Sequence, residues 1–267
     1  MGGRQGKYPT DQETRVQDMQ TNTSPAREAL PMLLGLLLMR LVLFAAFQAA
    51  IAFIAFGGEP DPWQAGVAWW PVGIVATNFL TIAIMIRLFR IEVGSYSALF
   101  RINRRKLGAD TLPLIGLFIV LLALAILPNL GLATLLFETP ESATDKFIFP
   151  LPMPVVWMLL PLFPISIALA ELPLYFGYIM PRLEKATGSV WLAILLPAVF
   201  AAAQHITMPL LFDWSFIVWR LLMFIPFTVF LAIVLRWRPR YLPFFAIAHA
   251  LLDISIVALI LSVSSAA

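Results

Sequence analysis

The chain contains no cysteine. Disulfides, thiolate metal sites and a cysteine nucleophile are therefore all excluded. Histidine is nearly absent too, with only two in 267 residues. Charge is equally sparse: Asp, Glu, Lys and Arg together make up 12% of the residues, whereas 61% are hydrophobic. A soluble domain of this length needs roughly a quarter charged residues to cover its surface, so a soluble fold is excluded. The formal net charge of +3 is too small to indicate a nucleic-acid partner. No short apolar core precedes a small-residue cleavage site near the N-terminus, so a secretory signal peptide is not expected. No internal repeat is visible, and with it the inverted-repeat signature of many transporters is missing.

What remains is a polytopic membrane protein. A helix needs about 20 apolar residues to cross a bilayer. Seven stretches qualify, at about 32–57, 64–88, 112–136, 153–181, 189–211, 215–235 and 241–262. Residues 1–28 are polar and read as a mobile tail; 29–150 hold the first spans and a basic loop at 87–111; 151–267 form the motif-bearing part. Basic residues fall in alternate loops. Arg87, Arg90, Arg101, Arg104, Arg105 and Lys106 lie in one, Arg182 and Lys185 in the next, and Arg236, Arg238 and Arg240 in the third. The other loops carry Glu59 and Asp61, then Glu138, Glu141 and Asp145 with Lys146, then Asp213. By the positive-inside rule the basic loops are cytoplasmic. The fold class expected is an all-α bundle of about seven spans with a cytoplasmic N-terminus. The stretch SALFRINRRKLG (97–108) is expected to be a basic topogenic loop, with an inner-leaflet surface segment as the alternative.

Ionisable groups at membrane depth are costly and mark functional candidates by default. Here they are Arg40, Glu171, His205, Arg220, His249 and Asp253, so both histidines of the chain are intramembrane. At 1.5 Å per residue, Glu171 lies ~16 Å from the end of its span at Arg182, and His249 and Asp253 lie ~12 and ~18 Å from theirs near Tyr241. His205 comes out deeper, ~24 Å from Ser189. His249 and Asp253, at i and i+4, share a helix face. Pro161, Pro164 and Pro173 predict a kink beside Glu171. Kinks free carbonyls that need partners or water, which fits a hydrated cavity.

Three segments together resemble a known family. AELPLYFGYIMPRLE (170–184) is similar to the first motif, Glu-Glu-x-x-x-Arg, of the CAAX protease and bacteriocin-processing (CPBP, or Abi) intramembrane proteases. FAAAQH (200–205) resembles their second motif, Phe-x-x-x-His, and HALLD (249–253) their third, His-x-x-x-Asn or Asp. The resemblance covers roughly residues 150–262, and the first three spans add only topology to it. It implies that Glu171 and His205 activate water while His249 with Asp253 binds the oxyanion of a membrane-associated or prenylated peptide under hydrolysis. It departs where Leu172 replaces the second Glu, Phe176 the Arg, and Ala201 stands at the expected Phe position. Replacing both members of a helix ion pair by apolar groups can be nearly neutral, whereas losing one strands a charge.

No His-Glu-x-x-His, Gly-x-Ser-Gly or Gly-x-Gly-Asp motif is present, so the other intramembrane protease chemistries are excluded. Three alternatives remain open. The chain is a catalytically silent relative serving as an interaction, immunity or assembly subunit of a membrane complex. Or the groups are structural, with Asp253 pairing Arg220 and the histidines satisfying backbone carbonyls. Or Glu171, the two histidines and Asp253 ligate zinc, or serve transport. The expected setting is the lipid bilayer of a prokaryotic plasma membrane, with no cofactor.

Overall fold

The computed structural model describes residues 29–266 except Val93; the polar tail at 1–28 lies outside the described residues. The chain is all-α, and the described residues hold no strand beyond an isolated bridge between Thr207 and Leu210. Helix α1 (Leu30–Ala50) runs on as a π turn to Ala55. A short α2 (Pro62–Val67) leads into α3 (Trp70–Ile91). Then follow α4 (Leu107–Phe137), the short α5 (Pro140–Thr144) and α6 (Met153–Leu172). A π turn at Pro173–Ile179 joins α6 to α7 (Met180–Thr187). Next comes α8 (Val190–Ala203), and the pair α9 (Trp214–Leu222) and α10 (Ile225–Trp237) forms one span. Helix α11 (Leu242–Ala266) ends the described chain.

Six of these segments are long and apolar enough to cross a membrane. The seventh expected span, 189–211, is built differently. Its helix stops at Ala203 in a 3₁₀ turn, Gln204–Ile206, and residues beyond run as non-helical backbone. Hydropathy reports only apolarity and cannot separate the two. Non-helical backbone at membrane depth must be buried in protein with its polar groups paired, and here it is. Gln48 both accepts from the Leu210 N–H (2.8 Å) and donates to the Leu210 carbonyl (2.9 Å), and Arg220 donates to the His205 (3.3 Å) and Met208 (3.0 Å) carbonyls.

Where a kink is expected, the α-helix gives way to the π turn at Pro173. Pro173 has no N–H to offer the Leu169 carbonyl one turn earlier, and the Tyr96 hydroxyl donates to that carbonyl instead. Tyr96 belongs to the basic loop, which forms two short 3₁₀ turns, Tyr96–Phe100 and Arg104–Lys106, before α4 begins at Leu107. Leu99 of the same loop packs on Gly177 inside the π turn, where an added Cβ would meet Leu99 at 3.1 Å. The loop is thereby stitched to the kink.

The three basic loops gather at one end of the bundle. Arg182 pairs with Glu92, Arg236 with Glu184 (2.5 Å) and Arg240 with Asp110 (2.7 Å). Lys146 pairs with Asp213 (3.0 Å) between two of the acidic loops, at the opposite end. The charge alternation along the chain is thus a segregation in space, as the positive-inside reading requires.

Between the two ends the buried apolar residues form two separate clusters. One, nearer the basic end, holds Leu37, Met85, Tyr175, Phe176, Ala201, Phe227 and Phe245; the other holds Phe44, Ile74, Phe163, Ile167, Met208, Trp219 and Val257. Along most of the spans the switch from one cluster to the other falls next to a polar residue: Arg40 between Leu37 and Phe44, Asn78 between Ile74 and Met85, Glu171 after Ile167. The same holds for His205 between Ala201 and Met208, and for His249 and Asp253 between Phe245 and Val257. A polar layer divides the apolar core.

Candidate functional site

Glu171 ends α6, is 2% exposed, and lies 3.6 Å from the Nη2 atom of Arg40 on α1. That guanidinium is wholly buried and organises the layer around it. Its Nε donates to the Gln204 side chain (2.6 Å) and its Nη1 to Asn78 on α3 (2.7 Å). Asn78 in turn donates to the Ser166 hydroxyl (3.0 Å), and Gln204 to the Ala201 carbonyl (3.0 Å). Nη2, the nitrogen that faces Glu171, makes no hydrogen bond. Burying an ion is tolerable only when its remaining donors are satisfied, and here the neutral amides of Asn78 and Gln204 do most of that work.

His205 follows Gln204 directly. Its Nδ1 lies 3.0 Å from the Ala201 carbonyl and 3.2 Å from that of Ala202. Both partners are acceptors, so Nδ1 carries a proton, and in the neutral ring Nε2 is then the nitrogen with the lone pair. The ring stacks on Phe224 with centroids 3.6 Å apart. On α11 the His249 Nε2 lies 3.4 Å from an Asp253 carboxylate oxygen, as the i, i+4 spacing anticipates. The His249 Nδ1 and that same oxygen, Oδ2, are buried without hydrogen-bond partners.

Glu171, His205, His249 and Asp253 all line one cavity of about 360 Å³. Its walls are apolar and aromatic, with Ile74, Phe163, Ile167, Trp219, Phe224 and Phe227 among them. The cavity extends along the helices from Glu171 to Thr144 and Phe147 beyond the far end of α4.

Two expectations change. The group nearest Glu171 is Arg40, from the first span, not the histidines; α1 and α3 contribute more than topology. Arg220 does not pair with Asp253. It holds the carbonyls of His205 and Met208, with Phe147 (5.0 Å) and Phe224 (5.3 Å) against its face. Among the described residues no three His, Asp or Glu side chains gather closely enough to hold a metal ion, so a zinc site built from these four groups finds no support. Leu172 and Phe176 are buried in the apolar cluster near the basic end, 1% and 3% exposed, so neither leaves a polar gap.

Sequence reasoning missed Gln204 and Asn78, and assigned Arg40 no role. The signal for Arg40 was available: it is the only charged residue in its span, so any ionic partner had to come from another helix. Nothing in the spacing of Asn78 or Gln204 distinguishes them from tolerated polar residues. Comparison with known proteins adds no assignment: no family model, no curated protein and no solved structure matches this chain.

Proposed function

We propose that the chain is an intramembrane endopeptidase of the CPBP type, in which Glu171 and His205 activate water against a peptide bond of a membrane-associated substrate. The observation that carries this reading is the convergence of Glu171, His205, His249 and Asp253, from three separate segments, on one cavity at membrane depth. A carboxylate within reach of a bound water is one of the side chains that can take its proton. In its neutral form His205 offers the Nε2 lone pair, because its other nitrogen donates to two carbonyls. A water between these groups attacks the peptide carbonyl carbon, and its proton passes to Glu171 or His205. The tetrahedral oxyanion takes a hydrogen bond from His249 in a form protonated on Nδ1, since Asp253 occupies the Nε2 side. One such donor is commonly worth about 3 kcal/mol. Collapse breaks the C–N bond, and the proton taken from water leaves on the amine. Arg40 stands in this reading where the motif Arg, replaced by Phe176, would supply a guanidinium from the same helix.

A second reading, a catalytically silent membrane subunit of a complex, is favoured by the Arg40–Glu171 contact, because a charge-paired carboxylate is also what a structural network keeps. The two readings part in a membrane digest. Substrate cleavage by purified protein in proteoliposomes falls at least a hundredfold in Glu171→Ala and His205→Ala if the pair activates water. Variants that keep wild-type cleavage, or full complementation of a deletion, rule out catalysis.

A further inference from the structure

The cavity is not placed evenly across the bundle. Trp70 and Ile74 lie at the start of α3, Asn129 lies towards the end of α4, and Thr144 and Phe147 lie in the acidic loop beyond it. No residue of the three basic loops lines it. Towards the basic end it stops at the Glu171–His249–Phe227 level, below which the apolar cluster is filled by Tyr175, Phe176 and Phe245. Towards the acidic end it is roofed. Phe147 lies between the Trp70 and Trp219 rings, at 6.0 and 5.8 Å, and its carbonyl accepts from the Trp70 indole N–H (2.7 Å).

One side is left. Helices α4 and α11 touch near the basic end, where Phe118 meets Phe245 edge-on at 5.2 Å, but otherwise hardly pack on each other. Cavity-lining residues of both are exposed: Ile126 at 44%, Leu252 at 37% and Leu259 at 43%. These two helices are also the least buried spans, with 11% and 22% of their most apolar windows covered, against 44% for α3 and for α6. Helix α11 packs closely on α6, so the loosely held side of the mouth is α4, and weakly packed elements are the ones that move at low cost.

Polar groups at this mouth say what fits it. On α4 the Asn129 side-chain oxygen accepts from the Trp219 indole (3.0 Å), and its amide nitrogen donates to no residue among those described. On α11 the Ser255 hydroxyl donates to the Leu252 carbonyl (2.6 Å), which leaves its oxygen lone pairs to accept. A free N–H donor on one side and an acceptor on the other match a backbone peptide unit, whereas an acyl or prenyl chain needs neither. An unwound peptide at membrane depth requires such partners.

We propose that the cavity is entered sideways from the extracytoplasmic leaflet, between α4 and α11, by an unwound apolar segment of a membrane-anchored polypeptide. This rests on the peptidase reading for its purpose and on the positive-inside rule for its orientation, but its geometry needs neither catalysis nor a known substrate. A substrate presented only at the cytoplasmic surface, such as a prenylated C-terminus, does not reach the cavity by this route.

The absence of cysteine makes the test clean. Single-cysteine variants Ser255→Cys and Ile126→Cys, with Arg101→Cys as the cytoplasmic control, are made in a Glu171→Gln background so that nothing is cleaved. A charged, membrane-impermeant maleimide is applied to sealed vesicles of either orientation. Ser255→Cys and Ile126→Cys are expected to react at least tenfold faster from the extracytoplasmic face, and Arg101→Cys from the other. A Leu-rich single-span peptide with a Pro-Gly-interrupted extracytoplasmic flank, reconstituted in the same vesicles, is expected to slow labelling of Ser255→Cys at least fivefold. The same peptide with its interrupted flank on the cytoplasmic side is expected to leave the rate unchanged. Labelling from the cytoplasmic face, or from neither, overturns the route; equal protection by both peptides, or by neither, overturns the occupant. Because no outcome depends on hydrolysis, failure here is distinct from failure of the peptidase reading.

Discussion

Two arginines are buried in the membrane, and they are used in opposite ways. Arg40 is 0% exposed and binds side chains from three other segments: Asn78, Gln204 and, at 3.6 Å, the Glu171 carboxylate. Arg220 is 6% exposed and binds only backbone carbonyls, those of His205 and Met208, inside a cage of aromatic rings. The first sets a charged side chain at the rim of a cavity. The second replaces the hydrogen bonds a helix would have made where α8 breaks off short. An ionisable residue at membrane depth is therefore read through its partners: Arg40 faces the charge of a cavity-lining carboxylate, whereas Arg220 faces only backbone carbonyls.

The comparison can be broken by mutation. Arg40→Met is expected to have the largest effect, about 3–5 kcal/mol, because it leaves a buried carboxylate with no counter-charge. Thermal unfolding in detergent reads the loss. The double variant Arg40→Met/Glu171→Leu is expected to recover most of it; no recovery would mean that the amides, not the carboxylate, dominate.

Arg220→Met is expected to cost less, about 1–3 kcal/mol, since it leaves two carbonyls short of donors but strands no charge. Combining it with Asp253→Asn is expected to be additive within about 0.5 kcal/mol, as for groups without a shared contact. A coupling well above that returns Asp253 to Arg220 as a partner. Tyr96→Phe, which uncaps the Leu169 carbonyl at the Pro173 kink, is expected to cost about 1 kcal/mol in the same unfolding assay.

The smallest effect lies outside the bilayer. The hydrogen bond from Arg182 to Glu92 holds that carboxyl below the usual carboxylate range, with the Tyr178 hydroxyl (2.6 Å) adding to it. A folded-state value below the unfolded one means that the contribution is fully present above the unfolded value of about 4.3. It is then lost as the pH falls through the folded value. Exposure of both partners keeps it under about 1 kcal/mol. Glu92→Gln is expected to flatten the acid limb of the stability curve by that amount and to leave neutral pH nearly unchanged in slope.

The same contrast explains what was legible in the sequence. The spans were, because length and apolarity alone decide them, and so was the sidedness of the loops, because charge alternation survives folding as two separate ends. The four groups of the cavity stood out because each is the rare ionisable residue of an apolar run. The i, i+4 relation of His249 and Asp253 is a local property and could be read directly. The nearest partner of Glu171 could not, because Arg40 lies 131 positions away and no periodicity links them. Nor could the short α8, because an apolar stretch looks the same whether helical or held open by Gln48 and Arg220. A break in regular α-helix at Pro173 was legible, and it takes the form of a π turn; that a loop tyrosine caps the freed carbonyl was not.

Intramembrane peptide cleavage by the Glu171–His205 pair is the proposal that one measurement tests most directly. The direct measurement is mapping of new protein N-termini in membranes that carry wild type, Glu171→Ala or His205→Ala at equal abundance. A set of termini present with wild type and absent from both variants, mapping to membrane-embedded or juxtamembrane positions on the extracytoplasmic side, is the expected result. Identical terminus profiles in all three membranes would contradict it.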